Sequence, residues 1–205
     1  MANKLDRPEP PVLPYVGSVF SRDFFSQTFN ILRLFFNRIT NAVNQLSSRD
    51  DGGKFIYSPR ALYYDTTIQQ AASANTGYPI TFNSTYINST VSLVDNSKIT
   101  VLADGVYSFQ IGVQLYKHAG TTCHFFMWIV KNGTAQPYGT KQYTVKVGDY
   151  FNVSWDFIYE LKADDYVEIY WATDSTDLRL ESVTATSPHS GIPSAVASVV
   201  FASNA

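Results

Sequence analysis

The stretch that decides the fold is FNVSWDFIYEL, residues 151–161. Every second residue in it is apolar or aromatic, from Phe151 through Trp155 to Leu161. Successive side chains of a β-strand point to opposite faces, so strict alternation over this length predicts a strand with one buried face. No other stretch of the chain alternates for as long.

The same period of two extends over most of the chain after residue 77. Tyr107 to Leu115 and Val167 to Trp171 alternate in the same way, and Asn132-Gly133 is a strong signal for a tight hairpin. We count about ten strands from residue 78 on. Residues 78–205 are therefore predicted to form a ten-stranded jelly-roll sandwich, which makes the chain mainly β.

Nearer the N-terminus the apolar residues recur in steps of four and three. This seam comprises Phe25, Phe29, Leu32, Phe36, Ile39, Val43 and Leu46. A heptad seam predicts a coiled helical stalk, which we place at residues 22–51, after the N-cap Ser21 and before Gly52-Gly53. One helix cannot bury such a seam alone, and the bulky Phe residues need a wider core than a dimer offers. The seam therefore predicts a homotrimer.

The segments on either side of the stalk are less regular. Residues 1–21 are rich in proline and are predicted to be extended, either as a disordered tail or as an arm on a partner's surface. Residues 52–77, mostly small and polar towards their end, are predicted to be a linker. Phe24, Leu34 and Phe35 lie off the seam and widen its apolar stripe, for packing on the chain's own β domain or on another protein.

Composition excludes several classes of function. Charged residues make up 16% of the 205, the net charge is −2 and no basic run occurs, so no nucleic-acid partner is expected. Arg22, Asp23, Arg33 and Arg38 interrupt the apolar helix, so no membrane span is expected. The N-terminal residues lack an apolar signal core, so folding in a cytoplasm is expected.

The sequence offers no constellation for catalysis. His118, His124 and His189 share no ligand spacing, and Cys123 has no nucleophile motif around it. Neither a nucleophile elbow nor a phosphate loop occurs. We therefore expect no catalytic residues, no metal and no cofactor, and a protein that is not an enzyme.

Three passages resemble the trimeric jelly roll shared by the complement globular head and the tumour necrosis factor family. They are Asp104-Gly105-Val106-Tyr107-Ser108-Phe109, Trp128-Ile129-Val130-Lys131-Asn132-Gly133 and Leu161-Lys162-Ala163-Asp164-Asp165-Tyr166-Val167. In the third, Ala163-Asp164 stands in the region where the family has Gly-Asp. Four further segments are Asn30-Ile31-Leu32-Arg33-Leu34-Phe35-Phe36-Asn37, Ser154-Trp155-Asp156-Phe157, Ile169-Tyr170-Trp171-Ala172-Thr173-Asp174 and Ile192-Pro193-Ser194. With them the chain resembles, over its full length, small virion proteins of tailed bacteriophages, which join a Phe- and Asn-rich helix to such a head.

The resemblance implies a homotrimer on a phage particle, made in the host cytoplasm and carried on the virion. We expect a capsid decoration or fibre bound to a capsid or tail protein. The alternative is a short tail fibre whose head recognises a host surface glycan. The residues expected to anchor the chain to the particle are Pro10, Pro11, Pro14, Phe24, Leu34 and Phe35.

Overall fold

The computed structural model describes residues 11–14, 21–47 and 58–204. The chain divides into two compact units, Met1–Tyr57 and Ser58–Ala205. The first contains helix α1 (Arg22–Ser47). The second contains the thirteen described strands: β1 (Arg60–Asp65), β2 (Gln69–Gln70), β3 (Tyr78–Pro79), β4 (Ser84–Ser89), β5 (Val91–Val94), β6 (Lys98–Val101), β7 (Gly105–Lys117), β8 (Cys123–Lys131), β9 (Thr134–Val145), β10 (Tyr150–Leu161), β11 (Tyr166–Thr173), β12 (Leu178–Leu180) and β13 (Ala195–Ser203).

The strands form two antiparallel sheets with jelly-roll connectivity. In the seven-stranded sheet β1, β13, β7 and β10 are successive neighbours, and in the six-stranded sheet the order β6, β11, β8, β9 holds. Numbered in chain order among these eight strands, the sheets read 1-8-3-6 and 2-7-4-5. This is the connectivity of a jelly roll, so the predicted fold class, mainly β with an N-terminal helix, is confirmed.

The core lies between the inner faces of the two sheets. Large side chains that are at most 1% exposed fill it from both sides, among them Tyr63, Tyr107, Phe109, Ile111, Leu115, Phe125, Met127, Ile169 and Trp171. The alternation that predicted the strands places these residues on one face of each. On β10 Val153 and Leu161 are buried, whereas Trp155, Phe157 and Tyr159 only partly enter the core.

Two turns have the backbone conformation that their sequences favour. Asn132 and Gly133 have φ values of 49° and 77° and join β8 to β9 as a two-residue hairpin. In the turn before β11, Asp164 has a φ of 70°. Aspartate is one of the few residues besides glycine that tolerate this left-handed region, which explains how the turn forms without the usual Gly.

The domain boundaries differ from the prediction in one respect. Residues 52–77, predicted to be a linker, contain β1 and β2, and the β unit begins at Ser58 rather than at residue 78. The strand count differs with it, because eleven strands rather than ten follow residue 77. Strand β1 is short and is followed by polar residues, so its sequence gives only a weak strand signal. It joins the sheet by pairing with β13 and β4. Residues 48–57 lie outside the described part of the chain.

A carboxylate ties the two turns together. Asp165 accepts hydrogen bonds from the Lys162 N–H at 2.9 Å and from Asn132 Nδ2 at 2.7 Å, and Lys131 Nζ lies 3.3 Å away. Burial raises the pKa of Asp165, but these donors outweigh it and hold the pKa below its usual value. The Asn132 Oδ1 accepts from the Tyr166 N–H, so this side chain bridges both turns.

This lowered pKa predicts a specific acid sensitivity. A carboxylate whose folded pKa is depressed stabilises the fold above its unfolded pKa, about 3.9, and loses that contribution as the pH falls through the folded value. Asp165→Asn should lower the urea midpoint at pH 7, and the deficit should shrink below about pH 4. The matched control is Asp164→Asn, since asparagine also suits the left-handed backbone. An equal deficit at pH 7 and pH 3 would contradict the assignment.

Candidate interaction surfaces

Helix α1 begins where the sequence predicted. The Ser21 Oγ accepts a hydrogen bond from the Phe24 N–H at 3.2 Å, and Asp23 lies in the first turn. This side-chain cap satisfies one of the amide groups that a helix start leaves unpaired, and the Asp23 carboxylate complements the helix dipole. The helix is 26 residues long and ends at Ser47. The predicted residues 48–51 of the stalk lie outside the described chain.

The seam of α1 is uncovered in the single chain. Phe29 is 67% exposed, Phe36 61% and Val43 54%, and no residue of the helix as described is buried. Phe25 and Phe29 stack with ring centroids 6.4 Å apart, so the seam is a continuous aromatic surface at its N-terminal end. Soluble single chains rarely expose apolar surface of this extent, which therefore marks an interface.

The expected anchoring residues separate into three groups. Pro11, Leu34 and Phe35 come together with Ile31 and Arg38 around a cavity of about 170 Å³. Phe24 instead packs edge-to-face on Phe25, and Pro14 is half-buried outside that cavity. Pro10 lies outside the described residues. The arm thus contacts its own helix at the off-seam stripe.

Sequence reasoning missed two residues of this cavity, Ile31 and Arg38. A signal was present, because Ile31, Leu34, Phe35 and Arg38 recur at intervals of three, four and seven residues. This spacing defines a second helix face beside the seam. The heptad seam is longer than this second face and is therefore the stronger signal.

The outward face of the seven-stranded sheet holds two depressions lined by uncharged residues, while Arg60, Asp156 and Glu160 are exposed elsewhere on the same face. One depression of about 230 Å³ is lined by Leu62, Gln110, Ile111, Gly112, Ser154, Val196 and Ser198. A second, of about 280 Å³, adjoins it and is lined by Gly112, Val113, Gln114, Asn152, Val153, Ser154, Ile192, Pro193 and Val196. A Cβ at Gly112 would meet no described atom within 4 Å, so this missing side chain opens the floor of both. Next to these depressions, Ile158 on β10 and Val200 on β13 lie on either side of Ser108 on β7. The side chain of Ile158 is 64% exposed and that of Val200 is 48% exposed.

The titratable residues are held in structural contacts. His124 Nδ1 lies 2.7 Å from Asp174 Oδ2, and His118 Nε2 lies 3.7 Å from Asp177 Oδ1. Cys123 is 2% exposed, and burial raises the pKa of its thiol, opposed in part by Lys117. Within the described ranges no group of three His, Cys, Asp or Glu side chains could hold a metal ion. No helix described in the structure is long and apolar enough to cross a membrane.

Comparison with known proteins finds likeness only in structure. No protein-family model matches the chain, and no curated protein matches it either. Two crystal structures of murine APRIL, at pH 8.0 and pH 8.5, match with a TM-score of 0.45 and identities of 11% and 12%. Each match covers 70% of this chain and 98% of the other. Likeness at this level carries no argument about function, which rests on the surfaces of the chain itself.

Proposed function

We propose that this chain is a non-enzymatic structural protein that assembles into a homotrimer through its helix and the outward face of its seven-stranded sheet around Gly112. The observation that carries the proposal is the exposed seam of α1. Phe29, Phe36 and Val43 are each more than half exposed, and no residue of the helix as described is buried. Copies of the same helix supply a matching surface, because helices with heptad seams bury those seams against one another in a coiled coil.

The β unit supplies a second surface of the right character. Interface cores are depleted in charge, and the two depressions around Gly112 are lined by uncharged residues alone. The exposed pair Ile158 and Val200 extends this face with apolar area. Beneath this face the rings of Phe109 and Phe157 stack with their centroids 5.0 Å apart. This contact packs β10, the strand that carries Ile158, against the core.

The finer proposal is that the trimer belongs to a bacteriophage virion, as a capsid decoration or fibre bound to a capsid or tail protein. Its support is the resemblance of the chain to such proteins and the arrangement of two apolar faces on one helix. In this proposal the seam contacts the other copies of the chain, and the stripe of Ile31, Leu34 and Phe35 contacts the particle. Because Pro11 already covers part of that stripe, docking requires the arm to shift or to join the contact.

The oligomeric state is the direct test. Sedimentation and native mass spectrometry of the full chain should give three times 22.9 kDa at micromolar concentration. A stable single chain under those conditions would overturn the proposal. Cryo-electron microscopy of particles then tests the virion assignment, and copy numbers in multiples of three are expected on the capsid or the tail.

A further inference from the structure

The outward face of the six-stranded sheet carries aromatic side chains that the core does not use. Strand β8 turns Phe125 and Met127 inward, where both are fully buried. Its alternate residues point outward and are only partly buried: His124, Phe126 and Trp128. The rings of His124 and Phe126 lie 6.3 Å apart, and Trp128 is the next outward residue in this row along the strand.

The Trp128 ring is held in place from two sides. Tyr170 lies opposite it on β11, with ring centroids 5.8 Å apart and an interplanar angle of 36°. The backbone of Gly77 packs on its benzene edge, since a Cβ there would lie 2.9 Å from both Cζ2 and Cη2. A ring fixed in this way presents its surface without losing side-chain freedom on binding.

Polar side chains border the aromatic row. Strand β9 places Thr140 opposite Trp128, Gln142 opposite Phe126 and Thr144 opposite His124, and all three β9 residues are exposed. The Gln142 amide offers two donors and an acceptor, and each threonine hydroxyl offers a donor and acceptor sites. This border can exchange hydrogen bonds with a ligand rich in hydroxyl groups.

At one end of the row Asp174 is bonded to His124. Asp174 accepts from the His124 N–H at 2.8 Å through Oδ1 and contacts His124 Nδ1 at 2.7 Å through Oδ2. Burial raises the pKa of Asp174, but these contacts with His124 outweigh that effect and hold the pKa below its usual value. The paired carboxylate orients the imidazole so that Nε2 faces away from it. None of the aromatic and border positions from Phe126 to Trp128 and from Thr140 to Thr144 that line the face outward carries a charge, so the face favours a neutral ligand.

We propose that this face, centred on Phe126 and Trp128 and bordered by Thr140, Gln142 and Thr144, is a binding site for a neutral saccharide. A pyranose ring has an apolar C–H side that suits the electron-rich faces of aromatic rings, and a rim of hydroxyl groups that suits the polar border. A protein partner fits less well. A stable protein interface buries about 800 Å² on each partner, whereas these few half-buried rings offer on the order of a quarter of that.

This site is separate from the self-assembly surfaces, which lie on helix α1 and on the other sheet. The test uses the full chain and a panel of immobilised oligosaccharides that end in glucose, galactose, mannose or N-acetylglucosamine, with sialylated and sulfated members alongside. We expect binding to at least one neutral member. Trp128→Ala and Gln142→Ala should weaken that binding about tenfold or more. Phe126→Leu keeps apolar volume but removes the aromatic face, and should weaken it while the fold is kept.

The matched control is Tyr86→Ala. Tyr86 is 77% exposed but lies on β4 in the other sheet, so its loss should leave saccharide binding unchanged. The proposal is overturned if no neutral saccharide binds at millimolar concentration, if only the charged members bind, or if Phe126→Leu binds like the natural chain. A change of oligomeric mass in Trp128→Ala would also overturn it, because the face would then be a contact between copies. The trimer proposal is judged separately, by the mass of the natural chain.

Discussion

A chain that begins at Gly77 is expected not to fold, whereas a chain that begins at Ser58 folds. The shorter chain lacks β1, which lies between β13 and β4 and pairs with β13 through all six of its residues. It also lacks Tyr63, which is fully buried and donates a hydrogen bond to the Val91 carbonyl at 3.1 Å. Truncating one buried large aromatic residue costs about 3–5 kcal/mol, a large share of the roughly 5–15 kcal/mol that stabilises a domain.

Circular dichroism and thermal unfolding test this expectation. The chain from Ser58 should show near-UV bands and a cooperative transition, and the chain from Gly77 should show neither. Two full-length variants give graded controls: Tyr63→Ala should lose about 3–5 kcal/mol of unfolding free energy, and Tyr63→Phe about 1 kcal/mol. Cooperative unfolding of the Gly77 chain with native near-UV bands would restore residues 52–77 to the role of a linker.

The second large effect is expected from Phe36→Asp in the helix seam. In a single chain Phe36 is 61% exposed, and a substitution at so open a site changes stability by no more than about 0.5 kcal/mol. In an assembled seam the same change buries an unpaired charge in each copy, at a cost of several kcal/mol. We therefore expect the mass to fall to that of one chain and the helical signal to drop, because most helical stability in proteins comes from packing of the apolar face.

The β unit should be unaffected by that substitution, since the core cluster of the sandwich contains no residue of α1. The control is Asn37→Asp, which adds the same charge one position away at an exposed site off the seam. It should keep both the mass and the helicity. If Phe36→Asp also keeps both, the seam is not the contact between copies.

The sequence by itself determined the type and the place of most elements. Period-two alternation at residues 151–161 and 107–115 identified strands because burial of one face imposes that pattern. The heptad and Ser21 identified the helix and its start because capping and seam spacing are local properties of the chain. Asn132-Gly133 identified its hairpin, since few residue pairs tolerate two left-handed positions in a row.

Only the tertiary structure decided what depends on residues distant in sequence. The six residues of β1 join the sheet through β13, which lies over a hundred residues later, and no local pattern records that pairing. The depression at Gly112 needs four strands to meet around a missing side chain, and the Phe126–Trp128 face needs β9 and β11 on either side. Surfaces of this kind arise from the order of strands in a sheet, and that order is settled by the packing of the whole core.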